Sequence, residues 1–177
     1  AERIAGFSDV LFNALKDAYS LSRLDRLYLE TAALLHNVGY FIGSNDHHKH
    51  TAHIIENSEI AGLSRKDMQI IAQIARYHTK SSPKATHPDF MRLDAADRVT
   101  VTRVASFLRI ADKLDTLSKP VVDTINCVFD GENTITLQIA MKKNAYEMFD
   151  MVAADVRKNA DMLTGFFGLE LQIERLV

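Results

Sequence analysis

The stretch "LLHNVGYFIGSNDHHKHTAHIIENSE", Leu34 to Glu59, holds five of the seven histidines in a chain of 177 residues. It decides the fold because one helix ends inside it and another begins. Upstream, Leu24, Leu27, Leu29, Ala32, Ala33 and Leu35 form an apolar series that starts after Ser22, a helix cap, and stops against Gly39. His36 and Asn37 are thereby expected in the last turn of that helix. The loop "GSNDHH" then leads into a helix from about Lys49 to Asn57. On it His50 and His53, three apart, share a face, which is a usable ligand spacing. His47 and His48 are adjacent, so one of the two is expected to point into any given site.

Working outward, Ile4, Phe7, Val10, Leu11, Ala14, Leu15 and Ala18 predict a first helix. Ser64 as N-cap, Asp67 at the third position and the series Ile70, Ile71, Ile74 and Tyr77 predict another, with His78 near its end. Ser81 to Asp89 contains Pro83 and Pro88 and lacks periodicity, so it reads as a loop joining two cores, with His87 in solvent. "AADRVTVTRVASFLRIADKLDTLSK" then predicts a long amphipathic helix with Val101, Val104, Ala105, Leu108, Ile110, Ala111 and Leu114 inward. Past Pro120 the period shortens. "TINCVFDGENTITLQIA" reads as a hairpin around Asp130-Gly131, "AYEMFDMVAADVRKNADMLTGFFG" as one helix stopped by Gly165 and Gly168, and "LELQIERLV" as a last strand. The expected fold is mainly α: a helical bundle over residues 1–118 followed by a small ββαβ, α+β appendage over 119–177.

Composition narrows the function classes. With 21 basic and 23 acidic residues the formal net charge is −2, so the chain as a whole has no pull on nucleic acid, and a polyanion must be held by a local cluster. No apolar run approaches the roughly 20 residues that span a membrane, and no signal-peptide layout opens the chain. Its start, Ala1-Glu2-Arg3-Ile4, has no initiator methionine, which fits a processed terminus and a cut from a longer chain equally well. A single cysteine, Cys127, excludes an intramolecular disulfide and fits a reducing compartment, so a cytoplasmic location is expected.

Chemistry concentrates in the helical part. His36, His47, His48, His50, His53, His78, Asp112 and Asp115 supply imidazoles and carboxylates suited to Zn, Mn, Fe or Mg, ions that activate water for attack on a phosphoryl group. Arg76, Lys80 and Lys84, with Arg65 and Lys66 nearby, read either as an anion patch or as a solvated helix face.

These residues also carry a resemblance. Ala32 to Gly39 ("AALLHNVG"), His48 to Ser58 ("HKHTAHIIENS") and Tyr77 to Lys80 ("YHTK"), followed by "FLRIADKLD" from Phe107 to Asp115, closely resemble the carboxy-terminal HD-like domain of the Ppx/GppA family of exopolyphosphatases and guanosine pentaphosphate phosphohydrolases. The resemblance implies a two-part enzyme. Amino-terminal actin-like domains would carry the catalytic glutamate and phosphate loops, using Mg, while the helical part holds polyphosphate or a guanosine phosphate and assembles a homodimer. This segment is then expected to contain no catalytic residue, and His48, His50, Arg76, His78 and Lys80 are the expected polyanion contacts.

The wider HD phosphohydrolase pattern implies a metal at His36, at the residue after it, and at a distant aspartate matched by Asp112. Asn37 stands where that pattern has an aspartate, and an amide is a weaker ligand for a hard cation. The implied metal remnant is His36, His50, His78 and Asp112. Two rival readings follow: a stand-alone metal-dependent HD phosphohydrolase acting on a nucleotide, and a regulatory or dimerisation module without ligand.

Overall fold

The computed structural model describes residues 1–79, 81–115 and 119–176. Among them the chain forms α1 (Glu2–Leu15), α2 (Arg23–Leu35), a 3-10 turn (Val38–Phe41), α3 (His47–Glu56), α4 (Arg65–Arg76), α5 (Pro88–Met91) and α6 (Ala95–Lys113). Then come β1 (Val122–Phe129), β2 (Thr134–Met141), a second 3-10 turn (Tyr146–Met148), α7 (Phe149–Lys158), α8 (Asp161–Phe167) and β3 (Glu170–Leu176).

Local chemistry sets the helix starts. Ser22 and Ser64 each accept from the backbone N–H three residues on, while Asp25 and Asp67 reach back to the cap backbone, so both helices open with a reciprocal capping box. Asp94 caps α6 by accepting from the Asp97 N–H. The burial of α1 follows its apolar spacing, with Ile4, Phe7, Leu11, Phe12 and Leu15 inside. In α4 every position from Met68 to Ala75 but Gln69 is buried, and α6 is buried from Val104 to Ala111. These two are the central helices. They pack on each other, and α1 and α2 pack against them.

Several details differ from the sequence expectation. Helix α2 stops at Leu35, with His36 as its C-cap and Asn37 beyond it, because the chain tightens into the 3-10 turn before Gly39. Ser81–Asp89 does not join two cores. Residues on both sides of it belong to one apolar cluster that runs on to the sheet, and the segment ends in the short helix α5. The single helix expected before the last strand is two helices: α7 ends at Lys158, where Asn159 turns its amide back onto the Asp155 carbonyl, and α8 starts at Asp161. The appendage is therefore ββααβ. Asp130 makes the hairpin turn as expected, its carboxylate accepting from the N–H groups of Glu132 and Thr134 beside Gly131 at φ 88°.

Strand order is β1-β2-β3, β1 antiparallel and β3 parallel to the central β2. Alternate residues of β2, Ile135, Leu137, Ile139 and Met141, enter the core, while β1 rests on α1 and α8 on α6. Arg3 fastens this junction, its guanidinium donating to Asp115 at 3.1 Å and to the Val122 carbonyl at 2.7 Å.

Asp25 is the buried polar anchor of the bundle. It is 2% exposed, accepts from Ser22, and takes both its oxygens to Arg103 Nη2 of α6 at 2.7 and 2.8 Å. Removing one partner of such a pair strands the other charge. Asp25→Ala is expected to lower unfolding free energy by roughly 3–5 kcal/mol in urea denaturation, and a loss under about 1 kcal/mol would show the pair to be ornamental.

Candidate functional site

Three histidines and an aspartate meet at the ends of α2, α4 and α6. His36 is buried, and its Nδ1 donates to the Ala33 carbonyl at 2.7 Å. His78 is buried too, with Nδ1 donating to the Ala75 carbonyl at 2.5 Å. A carbonyl can only accept, so both rings carry their proton on Nδ1 and turn an Nε2 lone pair inward. The rings stand edge to face, 5.1 Å apart. His47, opening α3, brings its Nε2 to 3.1 Å from that of His78, while its Nδ1 lies 3.3 Å from the Ser44 carbonyl and its ring stacks on Tyr40 at 4.1 Å. Both contacts of His47 are hydrogen bonds only when both its ring nitrogens carry protons.

Gly39 holds α3 in this place. A Cβ there would lie 2.1 Å from the His47 carbonyl oxygen and 2.4 Å from the Thr51 nitrogen, so no other residue allows the 3-10 turn to lie this close to α3. The Thr51 hydroxyl completes the joint, accepting from Gly39 N–H at 2.9 Å and donating to the His36 carbonyl at 2.9 Å.

Burial dominates the electrostatics. It lowers the His36 pKa, and it lowers His78 to about 4, with the Asp112 carboxylate opposing the shift in both. Among the described residues the Nε2 of His36 has no hydrogen-bond partner; it lies 3.7 Å from Asp112 Oδ1, while Asp112 Oδ2 is held by the Lys113 ammonium at 2.7 Å.

The residues singled out in the sequence divide accordingly. His36, His78 and Asp112 come together, joined by His47. His50 is half-buried on α3, and among the described residues no side-chain hydrogen bond ties it to the other three. Asn37 and His53 are exposed; His53 faces Asn57 at 3.5 Å. Arg76 is half-buried and paired with Asp89 at 3.1 Å, and Lys66 is taken by Asp94 and Asp97. His87 is not simply solvated: its Nδ1 pairs with the Tyr77 hydroxyl at 2.8 Å. Lys80 lies outside the described residues.

Beside the histidines opens a cleft of about 760 Å³ lined by Asp46, His47, His48, Lys49, Thr79, Ser81, Ser82, Lys84 and Lys113. His48 titrates below its ordinary value through burial first and then the neighbouring His47, with Lys49 and Arg76 adding to the same effect. Sequence reasoning passed over Lys113 and the hydroxyls of Thr79, Ser81 and Ser82. No local pattern marks them, since their meeting depends on how α6 crosses the end of α4. A second groove, between α1 and α2, is lined by Ala5, Gly6, Leu29 and Leu34 with Glu2, Asp9, Arg26 and Glu30, and none of the histidines reaches it.

A model of the Ppx/GppA phosphatase family, domain III, matches residues 1–160. The chain belongs to the Ppx/GppA phosphatase family. Over 85 residues it is 32% identical to a guanosine-5'-triphosphate,3'-diphosphate pyrophosphatase of Pseudoalteromonas translucida (strain TAC 125), a match covering 48% of this chain and 17% of that relative's length. The Ppx/GppA match includes the whole histidine cluster and ends one residue before α8.

The metal implied by the wider HD pattern does not fit this Ppx/GppA domain as arranged. Asn37 is exposed, Lys113 already neutralises Asp112, and among the described residues no three or more His, Cys, Asp or Glu side chains stand close enough together to hold one ion. What the cluster offers chemically is a pair of buried neutral imidazoles, His36 and His78, behind the half-buried His47 at the edge of a lysine-bearing cleft.

Two outcomes follow. His78 binds its proton near pH 4 when folded and near 6.5 when unfolded, so between these values the unfolded chain holds more protons. Stability is therefore full above pH 6.5 and declines as pH falls towards 4, by on the order of 1–3 kcal/mol. Melting curves between pH 7.5 and 4.5 check this, and His78→Asn is expected to flatten the decline. Gly39→Ala is expected to lower stability by about 3 kcal/mol through forced separation of the turn from α3, read by chemical denaturation; a neutral result would mean the joint is slack.

Proposed function

We propose that this chain is the carboxy-terminal, HD-like part of a phosphoanhydride hydrolase of the Ppx/GppA type, and that its cationic cleft holds the phosphate chain of the substrate. Residues 1–118 form the HD-like helical part in this reading and 119–177 the appended part. The whole enzyme releases orthophosphate from polyphosphate or from a guanosine pentaphosphate. Its Mg and its catalytic groups come from actin-like amino-terminal domains, and two copies assemble as a dimer.

The observation that carries the reading is the lining of the cleft. Lys49, Lys84 and Lys113 with His47 and His48 face Asp46 as the one acid, and Thr79, Ser81 and Ser82 add hydroxyl donors. Ammonium groups neutralise successive phosphates, and hydroxyls replace water on their oxygens. Lys84 is an exposed cation on a flexible stem, Lys49 is exposed and paired with Asp46 at 3.0 Å, and Lys113, tied to Asp112, is a fixed charge at the inner end. Of the contacts expected from the sequence, His48 lines the cleft, His78 supports His47 from behind, and Arg76 adds its charge from its pair with Asp89. Nothing in this cleft is asked to break a bond. Its part is to lower the free energy of a long polyanion and to aim it.

Titration with linear polyphosphate of defined length tests the proposal. Affinity is expected to fall steeply with salt, and Lys49→Ala/Lys84→Ala is expected to weaken it about tenfold and to reduce the slope of log K against log salt by about 1–2. Equal affinity and slope in the double variant would remove the cleft from the binding path.

A further inference from the structure

Arg109 is the largest side chain fully withdrawn from solvent, at 1% exposure, yet its counter-ion is on the surface. From α6 its guanidinium donates to the Tyr77 carbonyl at 3.2 Å, the Ser81 carbonyl at 2.6 Å, Ser82 Oγ at 3.3 Å and Asp161 Oδ1 at 3.3 Å. Ser82 Oγ also donates to Asp161 Oδ2 at 3.4 Å. Three of these four acceptors belong to the segment that leaves α4, and they bracket the residues that face the site. His78 and Thr79 follow Tyr77, and Ser81 and Ser82 line the cleft themselves. The fourth acceptor, Asp161, opens α8 in the appended part of the chain, one residue past the family match.

Burying a guanidinium without a full set of acceptors is strongly unfavourable, so this segment and Arg109 fix one another. Five N–H donors in a rigid plane impose a single arrangement on what they bind. If Arg109 only filled the core, backbone carbonyl acceptors would suffice. Instead part of its charge is balanced by Asp161, whose side chain is 66% exposed, and that residue sits on a different element from everything else it holds. Four residues on along α6, Lys113 reaches the same cleft, so one helix both supplies a cation and anchors the opposite wall.

We propose that Arg109 and Asp161 are positioning residues for the anion cleft, through which helix α8 sets the conformation of the wall that carries His78, Thr79, Ser81 and Ser82. Neither residue touches the ligand. For its effect on affinity the inference rests on the polyanion reading; for its effect on the wall it does not.

The decisive feature is a sign. Asp161 is a negative charge near a site for polyanions, so its removal by electrostatics alone tightens binding. A positioning role predicts the reverse. In the intact chain, Asp161→Ala is expected to speed amide exchange at Thr79, Ser81 and Ser82 about tenfold with little change in melting temperature. It is also expected to weaken polyphosphate binding about fivefold with the salt slope unchanged. Asp161→Asn, which keeps an acceptor for Arg109, restores wild-type exchange, and Arg109→Lys, which loses the fork, reproduces the Ala variant. Unchanged exchange at the wall, or tighter polyphosphate binding by Asp161→Ala, overturns the inference. Should the wild-type chain fail to bind polyphosphate, the reading of the cleft falls, and the exchange measurement still decides the coupling between α8 and the wall.

Discussion

The arrangement of this molecule turns on a contact that exists because a side chain is missing. The 3-10 turn after α2 lies against the first turns of α3 closely enough that the space of a Gly39 Cβ is occupied by the His47 carbonyl and the Thr51 backbone. Thr51 then binds on both sides of the joint, to the Gly39 N–H and to the His36 carbonyl. Since α3 is rigid, fixing Thr51 fixes His47 one turn earlier, and His47 is what closes the pocket over His78. The end of α2 and the start of α3 are thereby locked together by two hydrogen bonds and one steric exclusion, and the His47–His78 contact adds the end of α4.

Helix α6 provides the second constraint, and it does so with charge. Along its length Asp94 and Asp97 hold Lys66, Arg103 holds Asp25, Arg109 holds the segment after α4, and Asp112 is held by Lys113. Buried or half-buried ion pairs add little net stability compared with apolar packing, but they penalise wrong arrangements heavily, because a misplaced partner leaves a charge unpaired. A helix studded with them has few acceptable rotations. That explains how a helix buried from Val104 to Ala111 can still present Arg109, Asp112 and Lys113 at defined places.

The same charges bear on the implied metal. An HD-type centre would need carboxylate charge directed at a cation, and here the carboxylate of Asp112 faces the ammonium of Lys113 while the residue after His36 is the exposed amide of Asn37. The imidazoles keep the backbone-anchored orientation that such centres use, with Nδ1 on a carbonyl and Nε2 turned inward. The cleft beside these imidazoles is lined by three lysines, two histidines, three hydroxyl side chains and one acid.

Much of this was legible in the chain. Ser22 with Asp25 and Ser64 with Asp67 announced their helices because a capping box is completed within four residues. Asp130-Gly131 announced the hairpin for the same local reason, and the segments Ala32 to Gly39, His48 to Ser58, Tyr77 to Lys80 and Phe107 to Asp115 announced the family. What failed was non-local. The break at Asn159 hid inside a continuous amphipathic pattern, and β3 joined β2 in parallel, a pairing that no residue near either strand encodes. In the site, the sequence determined which imidazoles and cations were present. Tertiary structure alone decided that His47 rather than His50 meets His78, that Arg76 is paired with Asp89, and that Lys113 and three hydroxyls share a cleft with His47 and His48. The physical reason is range: caps and turns are settled by neighbours a few bonds away, whereas the company a side chain keeps depends on how whole helices cross.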